Sequence, residues 1–171
     1  MSKIRCLDIE IAVSEHFNPR LNIMVPNVSW GFGLHECDML VLTKSGHATE
    51  VEIKVSAADL KKDAKKWHGH ASDKIEFLYF AVPETLLKYE AFIPSWAGIL
   101  VVSEAEEIRY TSSYSSGEPR RICRVHRLPQ RRLTYKFSEN EMYRIARLGT
   151  MRIWTLKQKI KKMRDQQEAT K

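Results

Sequence analysis

The chain is expected to fold as an α/β domain, a mixed central β-sheet flanked by helices, with a long basic helix at its C-terminal end. Three observations predict this. Strand-length apolar runs such as 38–42 and 98–102 are interleaved with helix-spaced segments. The runs 38–42 and 49–55 are joined by the tight turn Lys44-Ser45-Gly46-His47, and a helical segment and further strands follow. That order implies an antiparallel hairpin and then a parallel crossover. Beyond Ser138, small and apolar residues recur at alternating spacings of four and three over the 22 positions from Met142 to Met163.

Taken in order, residues 3–17 suit a first helix, with Ile9, Ala12, Val13, His16 and Phe17 at helical spacing. Asn18-Pro19 stops it, because the residue before proline is pushed out of the helical region. Residues 21–29 read as a strand whose internal Pro26 demands an edge position or a bulge. Trp30-Gly31-Phe32-Gly33 is a glycine-rich turn. Residues 38–42 carry Met39, Leu40, Val41 and Leu42 in succession, the pattern of a central strand buried on both faces. Residues 49–55 alternate: Val51, Ile53 and Val55 on one face, Glu50, Glu52 and Lys54 on the other. Ser56-Ala57-Ala58-Asp59 opens a second helix through a capping box. Residues 75–82 form a strand ended by Pro83, a loop runs through Pro94-Ser95-Trp96, and 98–102 form a buried strand. A short strand is expected near 122–125, and a second capping box, Ser138-Glu139-Asn140-Glu141, opens the last helix, which runs to about Gln166. Residues 1–136 thus read as the core and 137–171 as a basic helical extension of the same domain.

The 171 residues suffice for one real core, and 43% hydrophobic content excludes a disordered chain. No apolar run approaches membrane-span length, so no membrane partner is expected. The start lacks a secretory pattern, and three scattered cysteines (Cys6, Cys37, Cys123) read as free thiols of a reducing, cytoplasmic compartment. Charge is unevenly placed. Residues 1–108 hold 11 Lys+Arg against 16 Asp+Glu, whereas 109–171 hold 17 against 5. Such asymmetry points to a polyanionic partner at the C-terminal third, although a solvated helix face is the plainer reading. Arg120, Arg121, Arg124, Arg127, Arg131 and Arg132 stand with few acids near them in sequence, which argues against self-pairing. Lys61 and Lys62, directly after the 49–55 strand, suit either a solvated face or phosphate contacts.

The hairpin places Asp38, Glu52, Lys54 and Glu50 in one polar pocket beside an apolar core. Carboxylates bind a hard dication such as Mg²⁺ or Mn²⁺, with the carbonyl of Ile53 as a third ligand, and a neighbouring lysine orients or activates water. That chemistry suits hydrolysis of a phosphodiester. An exposed strand face with a cross-strand ion pair is the competing reading, but Asp38 opens a strand too apolar to be exposed. His35 reads as a loop histidine within reach of substrate or metal. The pairs His68-x-His70 and Cys123-x-x-His126 are too far apart in sequence to read as a zinc site.

Asp38, thirteen intervening residues and then Glu52-Ile53-Lys54, set on a hairpin after a first helix, resembles the PD-(D/E)xK nuclease superfamily. The wider stretches 36–41 and 50–56 look like its MmcB-like DNA-repair and phage-encoded branch, and the likeness covers roughly residues 5–105. Cys37 stands where the motif has proline, a residue often absent. The resemblance implies a restriction-endonuclease-like fold and Mg²⁺- or Mn²⁺-dependent cleavage of DNA in repair, recombination or phage DNA processing. It implies Asp38 and Glu52 as metal ligands and Lys54 as the catalytic lysine, with a further acid on the first helix at Glu10 or Glu15. The alternative is a nucleic-acid-binding protein that keeps the fold without cutting. The 142–163 seam suits packing on the chain's own sheet or a homodimer interface.

Overall fold

The computed structural model describes residues 4–28, 33–65, 70, 72–105, 121–132 and 135–169. The turn at 30–32, the 112–117 loop, Trp67, His68 and Arg120 lie outside them. Six strands form one sheet in sequence order: β1 (Ile23–Val28), β2 (Cys37–Leu42), β3 (Ala48–Ile53), β4 (Phe77–Pro83), β5 (Gly98–Glu104) and β6 (Arg121–Arg127). Pairs β3–β4 and β4–β5 are parallel and the rest antiparallel. Helices are α1 (Cys6–Phe17), α2 (Ala57–Asp63) and α3 (Glu139–Ala169). No described helix is long and apolar enough to cross a membrane.

Pro26 lies on the edge strand β1, where a missing N–H leaves no ladder bond unmade. The β2–β3 turn closes through Gly46 N–H to the Thr43 carbonyl, 3.0 Å. Gly46 has φ 85°, and a Cβ there would meet the Phe137 carbonyl oxygen at 2.6 Å. Glycine is therefore required twice, by conformation and by the chain leading into α3. The Ser56 hydroxyl caps α2 by accepting from Asp59 N–H. At α3, Ser138 and Glu141 form the reciprocal box: Ser138 N–H donates to Glu141 Oε2, 2.9 Å.

The segment expected to be a loop after β4 is instead a 3₁₀ helix, Glu84–Phe92, whose Leu86 packs on Leu60, Phe80 and Val101. Its apolar residues lack helical periodicity, so tertiary contacts shape it. Helix α1 covers one sheet face with Ile9, Ala12 and Val13 against Met39, Val41, Val51 and Ile53. The start of α3 covers part of the other face, with Ile145, Met142 and Leu148 packed beside Val25, Leu40 and Leu42. The seam therefore splits. Its first turns lie on the sheet, with Gly149 close to Val25, whereas Ile153, Leu156, Ile160 and Met163 are exposed. The three cysteines are free thiols.

Candidate functional site

The expected pocket forms where β2 begins and β3 ends. The register Met39↔Val51 sets Asp38 across from Glu52, one step further from the turn. Asp38 Oδ2 accepts the Ile53 N–H at 2.7 Å, so this side chain completes the ladder where strand pairing stops. Its other oxygen takes no part in that bond, and the side chain is 41% exposed. Lys54 Nζ donates to Glu52 Oε2 at 2.5 Å and lies 3.7 Å from Asp38 Oδ2. The motif residues Asp38, Glu52 and Lys54 thus converge.

Electrostatics match this crowding. Burial, with the Asp38 charge adding, raises the Glu52 carboxyl above its ordinary range despite the Lys54 ammonium. Burial alone would lower Lys54, but Glu52, Asp38 and Asp63 outweigh it and raise the ammonium, which stays charged. Among the proposed additional acids, Glu10 is raised by burial and then by the Asp38 charge, which brings it to the pocket's edge. Cys6, in the first turn of α1, is raised by burial, Asp38 and Glu10. Glu15 follows Glu10 by five residues, about 140° around the helix and ~7.5 Å along it, on another face.

Glu50 shares the buried face of β3 but turns to histidines. His35 Nε2 and His70 Nδ1 both reach Glu50 Oε1, at 2.8 and 3.0 Å. His70 Nε2 reaches Asp63 Oδ2 at 2.7 Å, and Asp63 Oδ1 lies 3.5 Å from Lys54 Nζ. Carboxylates only accept, so both His70 ring nitrogens donate and the ring is cationic. Burial lowers its pKa, but the bonds to Asp63 and Glu50 and the charges of Glu50 and Glu52 prevail and raise it to about 9. Burial opposes ionisation of Glu50, yet the two histidines hold it below the ordinary carboxylate range. Acids and bases therefore alternate from His35 through Glu50, His70, Asp63 and Lys54 to Glu52. Phe80 floors the chain, its ring 5.5 Å from His70 and 6.0 Å from Lys54 Nζ.

Asp63 and His70 were not identified from the sequence as members of this site. Asp63 reads as one acid in a lysine-rich helix, and His70 falls in a segment without periodicity. A signal for His35 was present, three residues before Asp38. His70 does not join Cys123 and His126 at a zinc site: Cys123 packs beneath α1, and His126 reaches Glu90 at 3.2 Å.

The basic residues correct an expectation. Acids remote in sequence reach the arginines in the fold. Arg121 pairs with Glu104 at 2.6 Å, Arg124 with Glu84, and Arg131 with Glu76 at 2.5 Å. Arg127 donates to the Ala97 and Pro94 carbonyls at 2.9 and 2.8 Å. Arg132 donates to the His70 carbonyl at 2.8 Å and lies over the Trp96 ring, 4.4 Å from its centroid. These arginines hold the sheet edge and the loops together. Lys61 lies over the Tyr89 and Phe92 rings at 5.6 and 5.4 Å, and Lys62 is exposed. Exposed positive charge also lies along α3, where residues 152–169 carry six Lys+Arg against two Asp+Glu.

No family model matches the chain, and no curated protein is similar to it. Among solved structures, the SPO1766 protein of unknown function from Silicibacter pomeroyi has a similar fold. The TM-score is 0.60 at 16% identity, over 94% of this chain and 94% of that one. At that identity the likeness is one of fold.

Proposed function

We propose that the chain is a divalent-metal-dependent nuclease acting on DNA phosphodiesters. The observation that carries this reading is the convergence of Asp38, Glu52 and Lys54 at one end of the β2–β3 hairpin. The Asp38 charge adds to burial in raising the Glu52 carboxyl, and Asp38 opens to solvent, an arrangement that suits a hard dication. Asp38, Glu52 and the Ile53 carbonyl would hold Mg²⁺ or Mn²⁺, with Glu10 at the rim. The ion would neutralise charge growing on the scissile phosphate. Lys54 positions the attacking water and remains cationic toward the phosphate, while Asp63 and Glu52 fix its ammonium between them.

A second reading, nucleic-acid binding without cleavage, is favoured by the exposed basic turns of α3, which need no motif residue. One experiment separates the two. Labelled single-stranded, duplex and branched DNA are incubated with Mg²⁺, Mn²⁺ or EDTA. The nuclease reading expects metal-dependent cutting that falls by about 10²–10³-fold in Lys54→Ala. Equal cutting by both proteins overturns it. Binding without cutting, with Lys159→Gln and Lys162→Gln each reducing the salt slope by about 0.9, establishes the second reading.

A further inference from the structure

We propose that His35, Glu50 and His70 form a second cation site, built for a borderline transition-metal dication of the Zn²⁺ class. It is separate from the Asp38–Glu52 pair. One ligand atom from each of the three residues lies within 4.8 Å of the others. The His35 and His70 rings stand 5.7 Å apart between centroids, on either side of the Glu50 carboxylate. A set of two imidazoles and a carboxylate suits Zn²⁺, Mn²⁺ or Co²⁺, whereas Mg²⁺ prefers oxygen.

Two further observations point to a ligand. Glu50 is fully buried, and its Oε2 has no hydrogen-bond partner among the described residues. A buried carboxylate oxygen left bare is costly, and a cation between the rings would occupy it. Asp63 also accepts from His70 Nε2, which leaves Nδ1 directed at Glu50. A carboxylate on the far nitrogen of a ligating histidine fixes the ring's tautomer and orientation. On binding, the ion takes the place of the His70 Nδ1 proton, which passes to solvent, while His35 binds through Nε2 with its proton on Nδ1.

A competing trio, Glu52, Asp63 and His70, is equally compact. There the Lys54 ammonium lies 2.5 Å from Glu52 and 3.5 Å from Asp63. Glu52 is engaged by Lys54 and shared with the Asp38 side, and Asp63 is engaged by His70 Nε2, whereas Glu50 Oε2 has no hydrogen-bond partner among the described residues. An ion at His35, Glu50 and His70 would tie the approach to β2, the middle of β3 and the chain after α2 to one point.

The test is a titration of metal-stripped protein with Co²⁺, followed by its visible ligand-field absorption, with Zn²⁺ and Mg²⁺ as competitors. No nucleic acid is present, so the result is independent of the hydrolysis proposed above. Wild type is expected to bind one Co²⁺ tightly, displaced by equimolar Zn²⁺ and not by Mg²⁺, with any further uptake at the Asp38–Glu52 pair displaced by Mg²⁺. His35→Gln, at a half-buried loop position, weakens binding at least tenfold. Asp63→Asn weakens it by about 10–100-fold. Glu52→Gln retains it. Absence of Co²⁺ uptake by wild type overturns the proposal. So does absorption that survives His35→Gln and disappears in Glu52→Gln, which places the ion in the motif pocket. Should one variant misfold by circular dichroism, the other variants and the wild-type competition still decide.

Discussion

The two faces of β3 are equally dry and chemically opposite. Val51 and Ile53 meet α1 through apolar contact, whereas Glu50 and Glu52, as deeply buried, meet two histidines and a lysine. The apolar face gains free energy from each methyl removed from water. The charged face gains only if every ion keeps its partner, because desolvating each one costs several kcal/mol. The apolar face therefore stabilises the sheet, and the charged face holds poised charge at a cost the rest of the fold offsets.

Breaking the charged face should be the most damaging single change. His70→Ala removes the cation shared by Glu50 and Asp63 and should cost about 3–5 kcal/mol in urea unfolding. A cost below about 1 kcal/mol would mean the ring is not load-sharing with those carboxylates. Replacing a pair behaves differently from halving it. Glu52→Leu with Lys54→Met should leave stability within about 1 kcal/mol of wild type, because Asp63 keeps the His70 cation, while abolishing any metal-dependent cleavage. A destabilised double variant would show that the pair itself supports the fold. On the apolar face, Val51→Ala should cost about 2 kcal/mol, and no change in metal binding should accompany it.

The smallest effect lies away from β3. Ser138, Tyr135 and Lys74 hold the Glu141 carboxyl down to about 2. Its contribution is complete above the ordinary carboxylate value near 4.5 and fades as pH falls toward 2. Ser138→Ala should remove about 1 kcal/mol at neutral pH and flatten that acid limb of the stability curve. An unchanged limb would assign it to other carboxylates.

Much of the fold was legible because it is locally encoded. The alternation of 49–55, the apolar run 38–42, Pro26 and both capping boxes each state their own structure. The 3₁₀ helix was not legible, since Leu86 is shaped by partners on α2, β4 and β5. Asp38, Glu52 and Lys54 were legible as a converging set because hairpin register converts sequence spacing into contact. Asp63 and His70 were not: their role depends on where the crossover returns, which periodicity does not encode. The ion pairs of the arginines were not legible for the same reason. Glu76, Glu84 and Glu104 lie 55, 40 and 17 positions from the residues they pair with.

The chain of acids and bases from His35 to His70 falls within thirty-six consecutive residues, the β2–β3 hairpin and the crossover after it. Hairpins close within about 1–10 μs, well before long-range sheet order is complete. The charges are therefore encoded as one inheritable cassette. The elements that follow hold this cassette through the Phe80 ring beneath His70 and the Arg132 bond to the His70 carbonyl, so those two positions are constrained by it.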